Sequence, residues 1–269
     1  MTNRVNYSLG AIVSLAGSLL GIVGFLWLFT EWWPRMFAAE MAKGRPDEAF
    51  IVTFIIPALN DVGIIGSVVL AVAAWGFFKQ KTWAWGVSMA GIVLMMQGSF
   101  FPMIPAASSG LAPMYAILFV PVFAMYLIMT LFVRKVDGKI VTLSIVAGMA
   151  YVLTFMNGIA ATNRIWLSIE AHGLGDSLFV AVERLNWYAA IAWGIFVVAL
   201  LMQQKWALPV GIGAGIMGFA GGILIAYVSM ASHGGFSMFT AGPIFSGLLL
   251  VMFLLPKGQK VVTDWVEKE

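Results

Sequence analysis

An amide and a carboxylate stand side by side, Asn60-Asp61, in an otherwise apolar run. A carboxylate inside a membrane span costs roughly 2.5–3.5 kcal/mol at the centre on insertion scales, so it faces a cavity or a partner, or stays near the interface. Asp61 can carry a proton or coordinate a cation. Its plainer readings are a hydrated acid just inside the external interface, or an ion pair with Arg35 or Arg184. Gln97 follows Met95-Met96 in the next apolar run and either lines a pathway or bonds a neighbouring helix, the second use being the commoner. With Asn186, these residues make the candidate substrate- or ion-binding set: Asn60, Asp61, Gln97 and Asn186. A second group, Arg35, Arg164, Glu183 and Arg184, forms a candidate external polar cluster. Arg164 can pair with Glu183, and Arg35 with Glu40 or Asp47. Such pairs either pin external loops or build a vestibule for an ionic ligand.

Other chemistries are poorly served. The chain has no cysteine, which excludes disulfides, thiolate metal sites and cysteine nucleophiles. His172 and His233 are the only histidines, and neither sits within a predicted span, as a buried bis-histidine haem requires. With Glu170 and Asp176 they offer donors for zinc or copper, but at a spacing without ligand signature; ordinary loop histidines are the plainer reading. No cofactor is expected. Gly213-Ala214-Gly215-Ile216-Met217-Gly218 fits a dinucleotide-loop pattern, which works only between a strand and a helix. Inside an apolar span it reads as a small-residue packing row, Gly211, Gly215, Gly218 and Gly222, as do Gly17 and Gly21 in the first span. No nucleophile stands with a base, which reads against a catalyst.

The elements that position these residues follow from composition. Of 269 residues, 61% are hydrophobic and 10% charged, against roughly a quarter charged in soluble domains. So few charges cannot cover a water-soluble surface, and lipid must replace water over most of it. The net charge of +3 reflects the loops and is no nucleic-acid footprint. Spans of about 20 apolar residues are expected at 8–30, 58–78, 84–103, 112–133, 140–160, 187–203, 207–229 and 237–255. The first lacks a small-residue cleavage site and reads as a span. Two spans extend further. Gly44-Arg45-Pro46-Asp47-Glu48 predicts a helix start that runs to Phe78, with Pro57 inside it, and Asp176 predicts another that runs to Gln203. Ten of the 15 Lys and Arg residues fall on the side that holds both termini, so both termini are expected in the cytoplasm.

The two halves resemble each other. Ile12-Val13-Ser14-Leu15 matches Ile140-Val141-Thr142-Leu143, and Arg35, Gly44, Asp47 and Phe50 match Arg164, Gly173, Asp176 and Phe179 in order. Asn60 then matches Asn186, Trp83-Ala84 matches Trp206-Ala207, and Ala90-Gly91-Ile92 matches Ala214-Gly215-Ile216. The expectation is a duplication of a four-span unit, residues 1–135 and 136–269, parallel because four spans is an even number. The run Leu59-Asn60-Asp61-Val62-Gly63-Ile64-Ile65-Gly66 resembles the four-span DoxX-like membrane proteins, over a small part of the chain. That resemblance implies a four-span unit and no particular activity.

The resulting expectation is an all-α polytopic protein of the cell membrane, with about eight spans as two parallel four-helix repeats. Three functions are open. One is a permease for a small solute or ion, its site between the units and lined by Asn60, Asp61, Gln97 and Asn186. Another is a non-catalytic membrane subunit or sensor that binds a partner, a lipid or a second copy. The third, a membrane enzyme, has least support in the residues. The expected partners are the lipid bilayer and an unidentified small molecule or ion.

Overall fold

The computed structural model describes residues 5–43, 46–172, 176–233 and 237–268. Among the described residues the chain is helical, with no strand. Seven helical stretches are long and apolar enough to cross a membrane: Tyr7–Ala42, Val52–Phe78, Ala84–Ala107, Ala116–Val133, Gly138–Leu167, Ser177–Leu201 and Ala207–Ala231. Met238–Leu254 and Pro256–Val266, bent by 81° at their junction, make an eighth if taken as one broken span. The chain is thus an integral, multi-pass, all-α membrane protein. It divides into two compact units, Met1–Asp137 and Gly138–Glu269.

In the first unit, α1 (Tyr7–Glu31) is capped by Asn6, whose Oδ1 accepts from the Leu9 amide at 3.1 Å. Pro34 lies at the start of α2 (Trp33–Ala42), where a missing N–H costs nothing. α3 (Pro46–Phe78) begins at the proline and runs 33 residues, about 50 Å, with Pro57 inside it. α4 (Ala84–Phe100), the short α5 (Met103–Ser108) and α6 (Ala116–Ile128) follow, and a π turn, Met129–Val133, continues α6. α1 packs on α3 and α6, and α4 packs on α3 and α6. Close approach depends on missing side chains. A Cβ on Gly66 would lie 2.6 Å from the Gly91 carbonyl oxygen, and one on Gly91 would lie 2.8 Å from that of Gly66. Gly17 and Gly21 seat α1 against Leu70 and Ser67 of α3, as a small-residue face requires. At the end of α6, the Arg134 guanidinium lies 4.4 Å from the Trp85 ring centroid, and burial pulls its pKa below the usual arginine value.

The second unit holds α7 (Gly138–His172), α8 (Ser177–Leu201), α9 (Ala207–His233), a 3-10 turn (Met238–Thr240), α10 (Ala241–Leu254) and α11 (Pro256–Val266). Asp176 caps α8, its Oδ1 accepting from the Leu178 amide at 2.8 Å. α7 packs on α8 and α10, and α9 packs on the same two helices. The row Gly211, Gly215, Gly218 and Gly222 meets Phe253, Leu250, Ser246 and Pro243, so it is the packing face of α9 towards α10. α11 turns back, burying Val262, Trp265 and Val266. Trp265 Nε1 donates to the Leu200 carbonyl at 2.7 Å, and Gln203 Nε2 donates to the Trp265 carbonyl at 3.0 Å. Lys257 and Lys260 give this element the makeup of an interfacial helix.

The turn after α3 and the turn after α8 close alike. Gln80 and Gln203 take the left-handed conformation, with φ of 51° and 57°. Lys81 N donates to the Gly76 carbonyl and Gln80 N to that of Phe77; Gln204 N donates to the Ala199 carbonyl and Gln203 N to that of Leu200. Each is the six-to-one, five-to-two pattern that satisfies the last carbonyls of a helix.

Candidate functional site

Several of the serines and threonines buried in the spans bond the carbonyl three or four residues back, which satisfies them within their own helix. The amides differ. Asn60 is 2% exposed, and its Nδ2 donates to the Ile56 carbonyl at 2.9 Å and to the Tyr115 hydroxyl at 2.9 Å. Its Oδ1 is buried without a partner among the described residues. Gln97 is 1% exposed, and both ends of its amide, Nε2 and Oε1, are buried without a partner among the described residues. Its neighbour Gly98 lets α4 approach α3 closely, since a Cβ there would lie 2.7 Å from the Leu59 carbonyl oxygen. Gly98 thus sets this turn of α4 beside the turn of α3 that holds Leu59 and Asn60, and Tyr115, just before α6, bonds Asn60.

The second unit builds a comparable layer from different side chains. Asn186 Nδ2 donates to the Val182 carbonyl at 2.8 Å, the same four-residue step that Asn60 makes. Asn157 Nδ2 donates to the Phe239 carbonyl at 3.2 Å. Both residues are fully buried, and each Oδ1 lacks a partner among the described residues, as does Thr240 Oγ1. Close packing places them together. A Cβ on Gly221 would lie 2.8 Å from Asn186 Nδ2, one on Gly222 would lie 2.7 Å from Pro243, and one on Gly242 would lie 2.6 Å from Asn157 Nδ2. Gly158, next to Asn157, lies against Trp187, next to Asn186. The circuit α8, α9, α10, α7 closes on one level.

Each unit thus carries a buried, uncharged layer of amides and hydroxyls with unmet hydrogen-bonding capacity. Leaving a buried donor or acceptor unpaired costs about 1–3 kcal/mol per group. Such a group calls for an explanation, for which water, an ion or a bound molecule is the usual one.

The remaining expected residues lie elsewhere. Asp61 is exposed on α3, beside Asn60 in sequence but on a different helix face, and has no hydrogen bond or ion pair among the described residues. Arg35 is exposed, with its guanidinium 5.5 Å from the Trp32 ring centroid. Arg164 lies 5.5 Å from the Phe179 ring centroid, and Glu183 pairs with its neighbour Arg184 at 3.4 Å. The expected pairs of Asp61 with an arginine, and of Arg164 with Glu183, are not among the described contacts. His172, His233, Glu170 and Asp47 have side chains outside the described residues, so the metal expectation and one proposed partner of Arg35 fall there too. Asp176 is spent on capping α8.

Three buried polar side chains lie outside the expected binding set. Tyr115 falls inside the expected span 112–133 and Thr240 inside 237–255, where neither stands out from its apolar neighbours. Glu40, expected as an external partner of Arg35, is 2% exposed; its Oε1 takes an ion pair from Lys43 at 3.0 Å and a hydrogen bond from Ser109, while Oε2 has no partner among the described residues. The signal was present: Met36 and Glu40, four apart on α2, share its buried face.

No protein-family model, no curated protein and no solved structure matches this chain. The DoxX-like resemblance therefore stays confined to the run around Asn60.

Proposed function

We propose that this protein is a membrane permease for a small, uncharged polar solute, which meets the amide layers on its way through the helical units. The observation that carries the reading is Gln97. A glutamine with both amide ends buried and unpartnered lowers stability, and proteins keep such groups where a ligand completes them. The uncharged layers, Asn60, Gln97 and Tyr115 in one unit and Asn157, Asn186 and Thr240 in the other, favour a neutral solute over an ion. The exposure of Asp61 favours placing it outside this path.

Two further parts of the proposal are the duplication and the orientation. Equal helix neighbours within each unit, matching caps at Gln80 and Gln203, and the same four-residue bond at Asn60 and Asn186 support descent from one duplicated unit. The excess of Lys and Arg on the side of the termini supports cytoplasmic N- and C-termini in the cell membrane. A second reading, a subunit or sensor with a membrane partner, is favoured by one observation. Asp61 lies in an exposed apolar stripe with Phe54, Ile65, Val68 and Trp75, where a partner group would relieve its isolation.

The test is solute entry into proteoliposomes, followed by light scattering. Purified protein should speed the entry of at least one small neutral solute, and the Gln97→Leu variant should abolish that acceleration while it still folds. Acceleration that is unchanged in Gln97→Leu removes the basis of the reading.

A further inference from the structure

We infer that the exposed face of α3 docks a transmembrane helix of another protein, and that a lysine or arginine on that helix pairs with Asp61. The inference is independent of the permease reading and names the partner that the second reading calls for. Ala58, Asp61, Ile65, Val68, Val72 and Trp75 are all exposed and follow one another in steps of three and four. Such steps keep residues on one side of a helix, so they form a single seam, with the spacing at which two helices interlock. The opposite side of the same turns is spent inside the unit. Asn60 bonds Tyr115, Gly63 lies against Phe25, and Gly66 lies against Gly91. Asp61 is the one charged residue in the seam, and it has no hydrogen bond or ion pair among the described residues.

Depth decides what the acid can reach. The Trp75 and Trp83 ring centroids lie 6.0 Å apart where α3 turns into α4, beside Lys79 and Lys81, and such tryptophans mark a headgroup level. A hydrocarbon core of about 30 Å covers about 20 helical residues. Counted from Trp75, Asp61 lies about 21 Å along the helix, about 9 Å short of the far boundary. An aspartate side chain is too short to climb that far, as lysine and arginine can. A lipid chain alongside brings no hydrogen-bond donor, and the ammonium of its headgroup stays at the boundary. A second copy is no better match. Copies inserted in the same orientation and related by a two-fold axis along the membrane normal face each other level with level, so acid would meet acid. A helix with a cation at that level supplies the missing charge, and Ala58, Val68 and Val72 leave room for its close approach.

The experiment uses the full-length protein in lipid vesicles with two synthetic transmembrane helices of leucine and alanine, each with an apolar run of about 20 residues. They differ at one position, about six residues from one end of the run, which is lysine in one helix and leucine in the other. The chain has no cysteine, so Lys79→Cys gives a single dye position at the end of the seam. Association is read by energy transfer to a dye on the peptide. The lysine helix should associate at least about tenfold more tightly than the leucine helix, and Asp61→Asn should erase that advantage. Comparing the two helices on a protein that keeps Asp61 holds the test sound if Asp61→Asn fails to fold. Equal association of both helices overturns the ionic pairing and leaves the second reading an apolar seam. Association of neither overturns the docking face and removes the observation that favours the second reading. An advantage that persists in Asp61→Asn overturns the assignment to Asp61. Disulfide formation between copies of Ile65→Cys would place a second copy on the seam and overturn the inference as well. None of these results bears on solute entry, so the permease reading stands or falls separately.

Discussion

Replacing Gln97 by leucine should make this protein more stable. Leucine is close to glutamine in volume, so α4 keeps its fit against α3, while two unpartnered polar atoms disappear from a site that is 1% exposed. Each unmet group costs about 1–3 kcal/mol, and part of that is relieved by small shifts or water, so a net gain of about 2 kcal/mol is expected. At the unfolding midpoint this corresponds to a rise in Tm of roughly 4–8 °C. The assay is thermal unfolding in detergent with no added solute, with Gln97→Met as a second apolar replacement. Both variants should melt above the parent and lose the acceleration of solute entry. A fall of 1 kcal/mol or more in both would mean that the Gln97 amide has protein partners, and the argument from its isolation would fail.

Other outcomes follow from the packing and the caps. Gly66→Ala should lower stability by about 1–3 kcal/mol, seen as lost Tm, because the new Cβ meets the Gly91 carbonyl oxygen of the neighbouring backbone at 2.6 Å, where no side chain can yield. Trp265→Leu removes the 2.7 Å bond to the Leu200 carbonyl, so amide exchange across Pro256–Val266 should accelerate while the spans stay protected. Asp61→Asn should change Tm by less than about 0.5 kcal/mol equivalent and leave solute entry unchanged, since Asp61 is exposed and unpaired among the described residues; lost transport in this variant would return Asp61 to the path. A reporter that works only in the cytoplasm should be active when fused after Glu269, and activity of an external reporter there would reverse the orientation.

Where α3 and α8 start and which glycines pack in α1 and α9 were legible in the sequence, because caps and small residues act locally. Pro46 opens α3, Asp176 caps α8, and the row from Gly211 to Gly222 faces α10 for reasons visible in the residues themselves. Which way each polar side chain points was not. A soluble helix reveals its phase through an apolar stripe, but a membrane helix is apolar all round and carries no such mark. Asn60 and Asp61 therefore read as one pair, although adjacent helical residues differ by about 100° in direction. One is buried on Tyr115 and the other is exposed. Glu40 was hidden for a related reason: its charge suggested a loop, while the four-residue step from Met36 places it on the inner face of a short helix. Gln97 stood out as polar, but its missing partner is a property of every neighbouring helix at once, which no local pattern encodes.

The central claim is that the Gln97 amide is completed by a ligand and not by the protein. A high-resolution experimental density map of the full chain in lipid nanodiscs tests it most directly. The account predicts a non-protein feature of more than one atom within about 2.7–3.2 Å of both Gln97 Nε2 and Oε1. Protein groups bonded to both ends of that amide, with no room for a ligand beside it, would contradict the account.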